Sequence, residues 1–180
     1  MREDRGGLSV RGYTLLDLEA YFLLMAIKEA GGRVRRKRLV SLMCLAKAFG
    51  VGMPMMFAYS RDARLHSPEL EYLLLRLQNM IGAVKGVGFD EVEITPEGEE
   101  LLYKLRGLAR RDDVEILRKI LKYVTDLDDN TMTALALLCH SKENGYLNKT
   151  IIAFVEDIIG PDKVNEVFGK AEELTRRIRS

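Results

Sequence analysis

A mainly α-helical fold is predicted: a winged helix-turn-helix with a short β-hairpin wing, followed by an α-helical C-terminal bundle. Three observations point to it. The stretch HSPELEYLLLRLQNMIGAVKGVGFDEVEITPEG, residues 66–98, changes its apolar period from helical to alternating and back to helical. Both helices of that stretch open on a hydroxyl residue followed by proline, Ser67-Pro68 and Thr95-Pro96. Everything after residue 110 repeats the helical period, with turn residues between the repeats.

Taken in order, the chain first shows a helix from about Thr14 to Ala30, apolar nearly all round through Ala20, Tyr21, Phe22, Leu23, Leu24, Met25, Ala26 and Ile27. So little polar surface requires cover from several sides. Gly31-Gly32 ends it, and a second helix from about Arg36 to Phe49 places Leu39, Leu42, Met43, Ala46 and Phe49 on one face, with Gly50 as its stop. The connection FGVGMPMMFAYSRDARLHSP follows, with a short strand near Phe57 to Tyr59 and Met53, Met55 and Met56 as flexible apolar packing.

The third helix runs from Pro68 to about Ile81. The Ser67 hydroxyl can take an orphan backbone N–H, and proline presets the first helical φ where no donor is needed. Leu70, Leu73, Leu74, Leu77 and Ile81 share one face, which must be buried, and Gly82 stops the helix. A two-stranded ribbon with a tip at Gly86 and Gly88 then places Val92 and Ile94 in alternation with Glu91, Glu93 and Thr95. The helix after Pro96 carries Leu101, Leu102 and Leu105 at spacings for burial. These segments compose a domain over residues 1–110, and residues 111–180 compose a helical domain for packing or dimerisation.

Its helices are expected near Asp113–Thr125, Thr131–Lys142, Asn148–Ile159 and Pro161–Ile178. In the last, Val164, Val167, Ala171, Leu174 and Ile178 recur at three- and four-residue steps, a two-heptad apolar seam that suits a homodimer interface or packing within the chain.

Composition excludes several classes. With 180 residues, 47% of them hydrophobic, the chain can build a core. No run approaches the roughly 20 apolar residues that span a bilayer, and MREDRGGLSVRG lacks the apolar centre of a signal peptide, so a cytoplasmic protein without membrane contact is expected. A single Gln and an excess of Arg over Lys suit a thermophilic source. Cys44 and Cys139 lie in apolar helical patterns without metal-ligand spacing and read as buried free thiols.

No constellation of catalytic or metal-binding residues emerges, so no cofactor and no enzymatic activity are expected. Asp126, Asp128 and Asn130 open like a calcium loop, but Thr131 stands where the turn needs glycine, and helix capping explains them. Gly86-Val87-Gly88 lacks the Lys-Ser/Thr of a phosphate loop. His66 and His140 have no spaced nucleophile or carboxylate partner.

The net charge of +1 conceals an uneven distribution: residues 1–66 hold 12 basic and 6 acidic side chains, residues 67–110 hold 5 and 8, and residues 111–180 hold 11 and 13. The basic excess centres on RVRRKR. Arg33, Arg35, Arg36, Lys37 and Arg38 crowd a helix N-terminus, where each cation opposes the macrodipole by roughly 0.3–1 kcal/mol. Local helix stability does not explain them: nucleic-acid phosphates outside the helix would, and a solvated charged turn is the other reading.

The succession GGRVRRKRLVSLMCLA, HSPELEYLLLRLQNMIGAV and EVEITPEGEELL resembles archaeal and bacterial winged-helix transcription regulators, most of all the small YwgA-like group of predicted regulators, over roughly residues 14–106. The resemblance implies binding to double-stranded DNA, with the helix from Pro68 to Ile81 in the major groove and the ribbon around Lys85 to Phe89 at the neighbouring backbone or minor groove; a homodimer is expected besides, since it would present two such helices to a two-fold site. On that plan Arg33, Arg35, Arg36, Lys37 and Arg38 hold phosphate, helped by Arg61, Arg64 and Lys85, while Tyr72, Arg76 and Asn79 lie on the reading face. The chain departs from the plan in the acids Glu69, Glu71, Asp90, Glu91 and Glu93 and in the outward Leu75. Tyr72 and Leu75 equally suit a protein partner, so an interaction module that binds no DNA is the alternative expectation.

Overall fold

The computed structural model describes residues 15–60 and 64–180. It is mainly helical with a small antiparallel sheet. Helix α1 (Leu15–Glu29) leads through Gly31 and Gly32, both at positive φ, into strand β1 (Arg33–Arg35) and directly into α2 (Arg36–Ala48). Two two-residue strands, β2 (Ala58–Tyr59) and β3 (Leu65–His66), pair with each other before α3 (Pro68–Arg76). Strands β4 (Val84–Val87) and β5 (Glu91–Ile94) form the ribbon, and α4 (Pro96–Leu105) follows. The remainder comprises α5 (Arg111–Val124), α6 (Asp129–Glu143), α7 (Lys149–Ile159) and α8 (Val164–Arg179), the last preceded by a 3₁₀ turn at Pro161–Lys163.

The all-round apolarity of α1 has its reason in the packing: residues 20–27 are all buried, between α2, α4, α5 and the sheet. Strand β1 is absent from the sequence expectation. It pairs with β5 through Val34 opposite Val92, giving the order β1-β5-β4, and the Arg36 N–H donates to the Asp90 carbonyl at 2.8 Å. With only Val34 buried between exposed Arg33 and Arg35, the alternation is too short to register as a strand pattern.

Both expected caps form. Ser67 Oγ accepts from the Leu70 N–H at 3.3 Å, and Thr95 Oγ1 accepts from the Gly98 N–H at 3.1 Å. Gly98 has a second reason to be glycine. A Cβ there would stand 2.0 Å from the Ala83 carbonyl oxygen, so α4 starts pressed against the ribbon's entry.

Ile81 corrects the expected burial of the third helix's apolar face. Leu70, Leu73, Leu74 and Leu77 are buried, but Ile81 is 43% exposed. Residues Leu77–Ile81 form a π turn, in which the Gly82 N–H reaches back to the Leu77 carbonyl. The wider turn holds one residue more than an α turn and swings the residues after Leu77 off the buried face.

The C-terminal helices share one core with the first half. Helix α6 is buried from Thr131 to Ser141 and takes α2, α7 and α8 on its sides; Ser41 Oγ meets Thr133 Oγ1 at 3.1 Å across the α2–α6 contact. The seam of α8 is likewise internal: Val164, Val167, Ala171 and Leu174 are buried by α5, α6 and α7, and Ile178 is partly buried against the same core. A dimer could use Val164, Val167, Ala171 and Leu174 only by peeling α8 away, while Ile178 keeps part of its surface. Their heptad spacing thus reflects intrachain packing, because a two-heptad seam looks the same whichever surface covers it.

Candidate functional site

The basic corner is the first surface to test. Its cations lie on β1 and the first turn of α2, and each meets a partner from a distant part of the chain. Arg33 pairs with Glu91 on β5, Arg35 with Asp129 at 3.1 Å, and Arg36 with Glu71 at 3.2 Å. The Lys37 ammonium donates to Asn130 Oδ1 at 2.6 Å. Arg38, with its side chain 20% exposed, donates to the carbonyls of Val124 (2.6 Å), Leu127 (2.7 Å) and Thr125 (3.2 Å) and approaches Asp129 at 3.4 Å.

These contacts answer the macrodipole problem. Arg38 lies at the carbonyl end of α5, where a cation is favoured, and Asp129 in the first turn of α6 neutralises its neighbours. The corner therefore joins the sheet and α2 to α5 and α6. For Arg38 this differs from the expected phosphate role, because its donors already point at backbone carbonyls inside the protein. Lys85 is also paired, with Glu93 at 3.0 Å.

The outward face of α3 has the opposite character. Tyr72 is 60% exposed and Leu75 51%, and Met80 on the π turn is 75% exposed. Phe89 at the ribbon tip is fully exposed. Arg76 is half-buried and Asn79 exposed, and among the described residues neither side chain makes a hydrogen bond or ion pair. Glu69 accepts from Ser67 Oγ at 3.2 Å. Arg64 is exposed, and Arg61 lies outside the described residues. Of the predicted cations, those of the corner and Lys85 are paired within the chain, while the side chains of Arg64, which lines a cleft together with Arg36 and Lys37, and of Arg76 have no partner among the described residues.

A cleft of about 780 Å³ opens between the ribbon tip and the α5–α6 turn. It is lined by Arg35, Lys37 and Arg38 but also by Asp90, Glu91 and Asp129, so its charges largely cancel. A smaller groove of about 410 Å³ lies between α1 and α3, lined by Leu16, Glu19, Pro54, Pro68, Glu69 and Tyr72. Sequence reasoning missed this groove, since it brings together residues from three separated segments with no common motif.

The titratable interior reads as structural. His140 is 7% exposed, hydrogen-bonds through Nδ1 with the Tyr59 hydroxyl (3.1 Å), contacts the Tyr146 hydroxyl at the same atom, and has Phe57 edge-on. Burial, assisted by the positive charge of Lys47, lowers its pKa, so the imidazole is neutral and holds the β2 connection and the α6–α7 turn against α6. Burial likewise pushes the Cys44 thiol well up and the Cys139 thiol to about 12, leaving both protonated.

Asp128 accepts from Thr131 Oγ1 (2.6 Å) and from the N–H groups of Asn130 and Thr131 (both 3.0 Å), and these bonds hold its carboxyl below the ordinary range. It is the cap of α6, as the sequence predicts for this acidic turn. Among the described residues no three His, Cys, Asp or Glu side chains group as metal ligands, and no helix is long and apolar enough to cross a membrane. No family model, curated protein or solved structure matches this chain.

Proposed function

We propose that the chain is a winged-helix interaction module that recognises another protein through the outward face of α3. Support for the winged-helix part comes from the element order α1–β1–α2–α3–β4–β5 with β5 between β1 and β4. The observation that carries the functional part is a contrast. The helix that reads DNA in such folds here presents Tyr72, Leu75 and Met80 to solvent, while the corner cations Arg33, Arg35, Arg36, Lys37 and Arg38 expected to hold phosphate are matched by acids and carbonyls of their own chain. Exposed aromatic and aliphatic side chains clustered on one helix are anchors for a protein surface, and phosphate would have to displace existing partners at the corner.

The test pairs two measurements. Cross-linking and affinity capture from native-host extract should yield a partner whose capture is abolished by Leu75→Asp, with the far-UV spectrum and melting temperature unchanged. Titration with mixed-sequence duplex DNA at low salt should give no salt-dependent binding. A steep loss of duplex affinity with rising salt, removed by Arg76→Ala, would establish the DNA-regulator reading instead.

A further inference from the structure

We infer that the groove between α1 and α3 receives a segment of the partner protein that places a Lys or Arg beside a large apolar side chain. This rests on the interaction-module reading and adds the chemistry of the partner. The apolar lining comes from Leu16, Pro54, Pro68 and Tyr72, with both prolines and the tyrosine exposed. Proline contributes no backbone donor, and an aromatic wall offers contact area at small entropic cost, so this part of the groove selects for apolar surface.

Two carboxylates line the same groove. Glu19 is only 4% exposed, and among the described residues no hydrogen bond or ion pair reaches its carboxylate. Burial and the neighbouring charge of Glu69 both raise its pKa, so it is held in unfavourable surroundings in the free protein. Lys47 acts on it only from a distance, its ammonium donating to the Met53 carbonyl at 3.0 Å. The carboxylate of an almost buried residue, reaching the groove beside a second one within apolar walls, is complementary to a cation delivered from outside and repels phosphate. A partner ammonium or guanidinium between Glu19 and Glu69 would relieve the repulsion and gain charge-assisted hydrogen bonds.

The probe is a phage-displayed library of random peptides, selected on the full chain. Enriched peptides are expected to share a basic residue next to Leu, Ile, Phe or Met. Their affinity should fall at least about tenfold in the Glu19→Gln, Glu69→Gln double variant, and Glu69→Lys should switch the preference to acidic peptides. Both variants are checked by thermal melting, and Tyr72→Ala supplies a second loss-of-affinity variant that leaves the carboxylates in place. Enrichment of neutral or acidic peptides by the wild-type chain, or equal binding to the double variant, overturns the inference. So does self-association in sedimentation that the double variant removes, which gives the groove to a second copy, or displacement of the selected peptides by a synthetic peptide of residues 1–14. Capture of the native partner lost in Leu75→Asp but kept in the double variant refutes the groove alone; capture kept in Leu75→Asp refutes the interaction module itself.

Discussion

Replacing Arg38 by Met keeps the apolar stem and removes the guanidinium from the end of α5. Two carbonyls lie within 2.7 Å of it and a third at 3.2 Å, and the side chain is 20% exposed. A hydrogen bond from a charged donor contributes about 1.5–3 kcal/mol, so the two short ones set a ceiling of about 3–6 kcal/mol. Water can reach the edge of the site and rehydrate part of what is lost, which brings the expected loss to about 2–3 kcal/mol. In a chain of this size each kcal/mol shifts the melting temperature by about 2–4 °C, so calorimetry should show a fall of about 5–10 °C. Arg38→Lys should recover only part of it, since one ammonium cannot fork across three carbonyls. Arg36→Met, which breaks a pair whose Glu71 side chain is 47% exposed, should cost less than about 1 kcal/mol. Equal, small shifts in both variants would refute the capping role and return Arg38 to the pool of cations free for phosphate.

Gly98→Ala should lower stability by about 3 kcal/mol, because the new methyl meets the Ala83 carbonyl and the Ile94 side chain and the backbone must give way; an unchanged urea midpoint would contradict this close approach. Stability should also fall as pH drops below about 6.5, where the unfolded His140 takes up a proton that the buried, neutral imidazole refuses. Above that pH the group adds no slope. The limit is about 1.4 kcal/mol per pH unit until the lowered folded pKa is reached, and His140→Gln should remove that component from a urea series between pH 7 and 5.

What was legible in the sequence is what is settled within a few residues. Ser67, Thr95 and Asp128 each cap a helix by bonding N–H groups two or three positions ahead, and each is readable from residue type and spacing; Asn148 caps α7 in the same way. Burial of the apolar stripes followed from the same local periods. Less legible were features closed over long separations. Strands β1 and β3 are three and two residues long and exist through pairing, and the partners of Arg38 lie 86 to 91 positions away. For RVRRKR, the sequence posed a charge problem whose solution lay elsewhere in the chain. Ile81 failed because periodicity assumes a uniform turn, and the α8 seam was ambiguous because a pattern states that a face is covered and not by what.

The contact of α2 with α6 carries a consequence for how the molecule comes apart. With Ser41 on Thr133, Cys44 near the Ala136 carbonyl and Arg38 on the end of α5, the first half has its second helix embedded in the other half's core. The turn around residue 110 is an exposed seam in the covalent chain but not a boundary in free energy. A protease cutting there is expected to leave two pieces held together non-covalently, each covering core surface of the other.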